Sequence, residues 1–182
     1  MTRFRLIQGD LPTRSKRGEA GGCRLGCGNP REKHVHLVQC PLLQPLWQKI
    51  RDILEAARGK TFRQFEQAII LGWSERDGTI EKGSMALLSM LLKIVVIAWV
   101  KVLLRNQQFE SGKVWKIFWS RARRQWFEFV TDKEREFRNI KQRESSVTST
   151  LKGINAQLKP LGTMNSEGQV ASKIHWQLHQ EL

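Results

Sequence analysis

The chain has 182 residues, with 31 Lys and Arg against 17 Asp and Glu, for a formal net charge of +14. This length holds one domain of ordinary size, or a smaller one with tails. The charge points to a polyanionic partner, most often nucleic acid and less often an anionic membrane surface. Three cysteines cannot all pair, which excludes a small scaffold held by disulfides.

The first segment, residues 1–50, carries the chemistry. Met1 to Leu11 contains Arg3 and Arg5 but no apolar run and no small-residue cleavage site. It does not read as a secretory signal, so the expected location is intracellular and reducing, in nucleus or cytoplasm. All three cysteines then fall within eighteen positions, from Cys23 through Cys27 to Cys40, with His34 and His36 between the last two. Reduced thiols beside a histidine are the soft and borderline donors of a tetrahedral structural zinc site. Gly22, Gly26 and Gly28 permit the tight turns that bring Cys23 and Cys27 to one ion, and Asn29-Pro30 breaks the chain between the ligand pairs. The expected ligands are Cys23, Cys27, His36 and Cys40, with His34 as the alternative to His36. A short hairpin around Cys23 and Cys27 is compatible with this pattern.

The second segment, 51–143, reads as helical, with a first helix that begins inside residues 1–50. Apolar residues at Leu43, Leu46, Trp47, Ile50, Ile53, Leu54 and Ala57 predict a helix over 42–58, stopped by Gly59. Thr61 can cap a short helix over 62–71, closed by Gly72. Residues 74–83 read as a polar loop with Asp77-Gly78 as its turn. Met85 to Arg105 is apolar nearly all round and long enough to cross a bilayer. Lys93 near its middle and Lys101 eight residues later are costly in a membrane, so a buried helix with one wet edge is expected. After a loop at 107–112, residues 114–142 predict a long basic amphipathic helix. On it Trp115, Phe118, Trp119, Ala122 and Trp126 form one apolar stripe, and Arg121, Arg123 and Arg124 fall mostly elsewhere. No stretch shows sustained two-residue alternation, so no substantial sheet is expected.

The third segment, 144–182, has Ser, Thr, Gly and Pro in place of large apolar residues and reads as a flexible tail. His175 and His179 stand one helical turn apart. Two histidines without a third ligand are too few to place in a site.

The residues around the cysteines carry a resemblance. Leu11-Pro12-Thr13-Arg14 precedes them, and Cys40-Pro41 followed by Trp47 closes them. With the Cys, Cys, His, Cys donors between, residues 4–50 resemble the zinc-binding segment that follows the catalytic domain in LINE-type (non-LTR) retrotransposon reverse transcriptases. That family usually has four residues between histidine and last cysteine. Here His36 leaves three and His34 leaves five. The family's paired catalytic aspartates are absent, because Asp10, Asp52, Asp77 and Asp132 are isolated and the chain has no tyrosine. The resemblance implies a tail module without polymerase or nuclease. It also implies binding to RNA or target DNA, with the parent reverse transcriptase or its RNA as partner.

The combined expectation is a mainly α protein: a small zinc-stapled loop or hairpin, a helical bundle and a flexible C-terminal tail. Its expected function is sequence-independent nucleic-acid binding without membrane insertion. Arg14, Lys16, Arg17, Arg24 and Arg31 flank the zinc motif as phosphate contacts. The alternative is a zinc-stapled protein–protein interaction module, with Trp47 and the helices as docking surface. No nucleophile, base and orienting group stand together in the sequence, so no enzyme activity is expected.

Overall fold

The computed structural model describes residues 21–30, 33, 35–71, 73–74, 78–105, 108–142 and 147–176. The fold is mainly helical. In chain order it contains α1 (His36–Gln39), α2 (Gln44–Arg58), α3 (Phe65–Leu71), β1 (Trp73–Ser74), β2 (Gly78–Thr79), α4 (Lys82–Arg105), α5 (Ser111–Gln142), α6 (Val147–Leu158), β3 (Gly162–Met164) and β4 (Val170–Ser172). The strands form two separate antiparallel hairpins, β1 with β2 and β3 with β4.

Helix α2 begins two residues later than the apolar period suggests, with Pro45 in its first turn, where a missing N–H costs no helical hydrogen bond. It ends at Gly59, which adopts φ 68° and returns its N–H to the Glu55 carbonyl at 2.9 Å. Its predicted stripe is buried, from Leu46 and Trp47 to Ala57. Helix α3 starts at Phe65 and not at Phe62. Phe62 instead packs as a separate buried ring 5.0 Å from Phe65. In the loop expected at 74–83, Ser74 ends β1, Gly78 and Thr79 form β2, and α4 starts at Lys82.

The two long helices carry the centre of the core. Leu88, Leu91, Leu92, Val95 and Trp99 of α4 are buried, while Lys93 and Lys101 are exposed. Residues Lys82–Val102 are long and apolar enough to cross a membrane, by length and composition. Here one side of the helix lies in the protein core and two lysines occupy its wet side, as the eight-residue spacing predicts. On α5 the stripe Trp115, Phe118, Trp119, Ala122 and Trp126 is buried. Trp115 and Trp119 stack at 5.5 Å between ring centres.

Residues 147–176 correct the expectation of a flexible tail. They form α6 and the β3–β4 hairpin, packed on the aromatic stripe of α5. Large apolar residues are sparse here, but each has a place. Trp176 lies 4.8 Å from the Trp119 ring and 6.0 Å from Trp126, and its carbonyl accepts the Trp119 indole N–H at 2.7 Å. The Asn155 side chain clips β3 to α6, donating to the Met164 carbonyl and accepting the Met164 N–H. The Val170 N–H donates to Glu134 of α5 at 3.1 Å. Gly162 and Gly168 permit the close approach, since a Cβ on either would meet Trp126 or Phe137 at under 3 Å. Composition suggested disorder because it counts apolar residues without showing that α5 offers them an uncovered aromatic surface. His175 is exposed, and His179 lies outside the described residues.

Buried apolar residues form one continuous core from Cys23 to Trp176. The cysteine segment joins that core at the α1–α2 side, which fixes the place of the site.

Candidate metal centre

The chain reverses tightly between Cys23 and Asn29. The Cys23 N–H donates to the Asn29 carbonyl at 2.8 Å, and the Gly26 N–H to the Cys23 carbonyl at 2.9 Å. Gly26 and Gly28 take φ of 83° and 81°, in the left-handed region where a side chain is strained. Gly22 is needed for a different reason: a Cβ there would meet the Asn29 carbonyl oxygen at 2.3 Å. The result is a knuckle of turns. The hairpin expected here has no strand pairing among the described residues.

The second half of the site is a single helical turn. His36 opens α1, and Cys40 caps it with its N–H on the His36 carbonyl at 2.7 Å. Positions i and i+4 lie on one face of a helix. Three intervening residues therefore put the His36 ring and the Cys40 thiol on the same side, facing the knuckle. His34 lies outside the described residues.

Cys23, Cys27, His36 and Cys40 bring their donor atoms within 4.8 Å of one another. Cys23 and Cys40 Sγ are 3.9 Å apart, and Cys27 Sγ is 3.2 Å from His36 Nε2. A tetrahedral ion with Zn–S of about 2.3 Å and Zn–N of about 2.0 Å needs S···S edges of about 3.8 Å and S···N edges of about 3.5 Å. The four donors can therefore bind a metal ion, with little movement for an ion of that size.

Hydrogen bonds around the thiols reinforce the fit. Backbone N–H groups of Leu25, Asn29 and Leu42 point at Cys23, Cys27 and Cys40 respectively, each two residues beyond its cysteine. Such donors favour the thiolate form. Burial works the other way. It pushes the Cys40 thiol up to about 12 and raises Cys23. Burial also raises Cys27, but the Asn29 N–H and the neighbouring Cys23 and Cys40 thiols outweigh it and leave Cys27 below its ordinary value. Thiols crowded and buried in this way lose their protons readily only to a cation. On the far side of the imidazole, the Asn29 amide lies 3.4 Å from Nδ1. When Nε2 binds a metal, Nδ1 carries the proton, and the Asn29 amide oxygen can turn to accept it.

The site is tied to the helical core. The Trp47 indole N–H donates to the Leu37 carbonyl at 3.0 Å, and Gln44 donates to Val38 at 3.0 Å. Trp47 is thus buried beneath the site and forms no part of a docking surface. Arg24 is half-buried, with its guanidinium 4.2 Å above the Trp99 ring of α4. Of the five expected phosphate contacts it is the one described, and it stands at the junction of knuckle and core. Arg14, Lys16, Arg17 and Arg31 lie outside the described residues.

Sequence reasoning located the thiols, His36 and the turn glycines, and read Asn29 as a break in the chain, but missed it as the neighbour of the His36 ring. The spacing held a clue to the backbone donors, since each N–H that faces Cys23 or Cys27 belongs to a residue next to a glycine, Leu25 before Gly26 and Asn29 after Gly28. Compared with protein-family models, curated proteins and solved structures, the chain matches none.

Proposed function

We propose that Cys23, Cys27, His36 and Cys40 hold a structural zinc ion, and that the chain is a basic nucleic-acid-binding module like the tail of a LINE-type reverse transcriptase. The observation that carries the metal reading is the set of four donors within 4.8 Å, three of them thiols each faced by a backbone N–H. Three sulfurs and one imidazole suit zinc and disfavour magnesium or calcium. With four protein donors the ion has no open position for substrate, which supports a structural role and no enzymatic one. The metal stabilises a knuckle that contributes few apolar residues of its own.

The nucleic-acid reading is supported by the net charge of +14 and by the basic residues before and within the zinc motif. Neutralising phosphates releases counterions, so affinity should fall steeply with salt. The test has two arms. Native mass spectrometry should find one zinc per chain, lost in Cys40→Ala. Single- and double-stranded oligonucleotides should bind at low salt and dissociate as salt rises. Folding unchanged by chelation overturns the metal reading, and no binding at low salt overturns the nucleic-acid reading.

A protein-docking module is the second reading. Ile97 of α4 and Ile117 of α5 are large apolar side chains left exposed along one groove between the helices, with Lys101, Lys113 and Arg121 at its rim. Binding of a partner that ignores salt would favour it.

A further inference from the structure

The outward face of α5 offers a second charged surface, remote in sequence from the zinc motif. Lys116, Arg123, Arg124, Phe127 and Arg135 line a single open groove of about 1090 Å³. The described residues around it all belong to α5. They recur every three or four positions and, apart from Trp119 of the buried stripe, lie on the exposed or half-buried side of the helix. From Lys116 to Arg135 the face runs about 28 Å.

Two features set this face apart. Phe127 is 50% exposed, the most exposed large apolar side chain among the described residues, although the six other rings of α5 are buried or half-buried. The Arg123 guanidinium lies over it, 5.7 Å from the ring centre, which places a cation beside the exposed ring. The carboxylates on the face hold their arginines weakly. Glu128 is 3.9 Å from Arg124 and Asp132 is 3.6 Å from Arg135, with all four side chains about two-thirds exposed. Surface pairs of this kind contribute little and exchange readily for a phosphate. An exposed ring flanked by cations can stack on a base only where that base is unpaired. A duplex offers the ring nothing, and an acidic protein would need the arginines but not the ring.

We propose that this face of α5 is a track for single-stranded nucleic acid, with Phe127 stacking on a base while Arg123, Arg124, Lys116 and Arg135 contact phosphates. The length of the face accommodates roughly four nucleotides, the lower end of single-strand site sizes. The inference rests on the nucleic-acid reading above but assigns it to a different surface.

The test uses the full zinc-loaded chain and a fluorescent oligo-uridine of about twelve nucleotides at low salt, followed by anisotropy. Phe127→Ala should weaken binding roughly ten-fold and Phe127→Trp should restore it. Arg123→Glu with Arg124→Glu should weaken it by more than Lys93→Glu with Lys101→Glu, which removes the same charge from exposed positions on α4. Circular dichroism and zinc content should be unchanged in all variants, since each altered side chain is wholly or partly exposed. A duplex of the same length should bind more weakly and be indifferent to Phe127→Ala. Salt-sensitive binding that the α5 changes leave equal to the α4 control overturns this inference alone, leaving the N-terminal arginines as the contact. Absence of oligonucleotide binding by the unaltered chain overturns both.

Discussion

The knuckle of residues 21–40 and the paired helices α4 and α5 reach order by opposite means. The knuckle is mostly turns, with glycines at left-handed φ and exposed positions between its cysteines. Its buried groups are chiefly the donors themselves and the short α1. Helices α4 and α5 bury stacked tryptophans and aliphatic rows that need no external ligand. On the proposed metal reading, one small chain combines a region whose order depends on an ion with one whose order depends on area removed from water. The two meet where Trp47 hydrogen-bonds Leu37 and Arg24 stacks on Trp99.

Metal removal should separate them most. Chelation, or Cys40→Ala, should release the ion and expose the amides of residues 21–40 to hydrogen exchange while α5 stays protected. The binding free energy at stake is on the order of 10 kcal/mol for structural zinc in small domains. Because Cys23 and Cys40 are held above the ordinary thiol value, both are protonated at neutral pH without metal. Ligation must therefore expel their protons, and zinc affinity in a competition titration should fall as pH is lowered.

Trp119→Ala should reverse the pattern. It removes a buried ring, its contacts with Trp115 and Trp176, and a hydrogen bond to the Trp176 carbonyl. A loss of about 3–5 kcal/mol in denaturant unfolding is expected, with zinc stoichiometry retained. Asn29→Ala should be smaller and confined to the knuckle. Loss of the partner of His36 Nδ1 should weaken zinc by about ten- to a hundred-fold, read by chelator competition, with little change in the unfolding of α5. Phe127→Ala should be smallest for stability, within about 0.5 kcal/mol, because its ring already faces solvent. A large loss there would mean that the outward face of α5 carries fold stability and not binding.

Helices with one clear apolar stripe were legible in the chain. The period of α2 and the arginine-opposed stripe of α5 each fall within three residues of the expected starts and end where Gly59 and Gln142 were expected to end them. Residues 147–176 were not legible. Their few apolar side chains have no partner in their own segment and become meaningful only against Trp119, Trp126 and Phe137. The choice of His36 was legible in part, through its apolar neighbour Leu37 and its distance from Cys40. The one-turn helix that makes three intervening residues workable appears only in the fold.

By itself the sequence determined the three thiols with a histidine between them and their glycine-permitted turns, the helical class and the excess of positive charge. These follow from local chemistry: which atoms bind soft cations, which residues tolerate left-handed φ, and how apolar positions repeat along a helix. Tertiary structure decided that Asn29 backs the imidazole and that Trp47 and Arg24 tie the knuckle to the core. It also decided that the C-terminal segment closes over α5 and that Phe127 alone among the large rings of α5 is left half in solvent. Those outcomes depend on surfaces from distant segments meeting, and no periodicity within a segment encodes which surface remains uncovered.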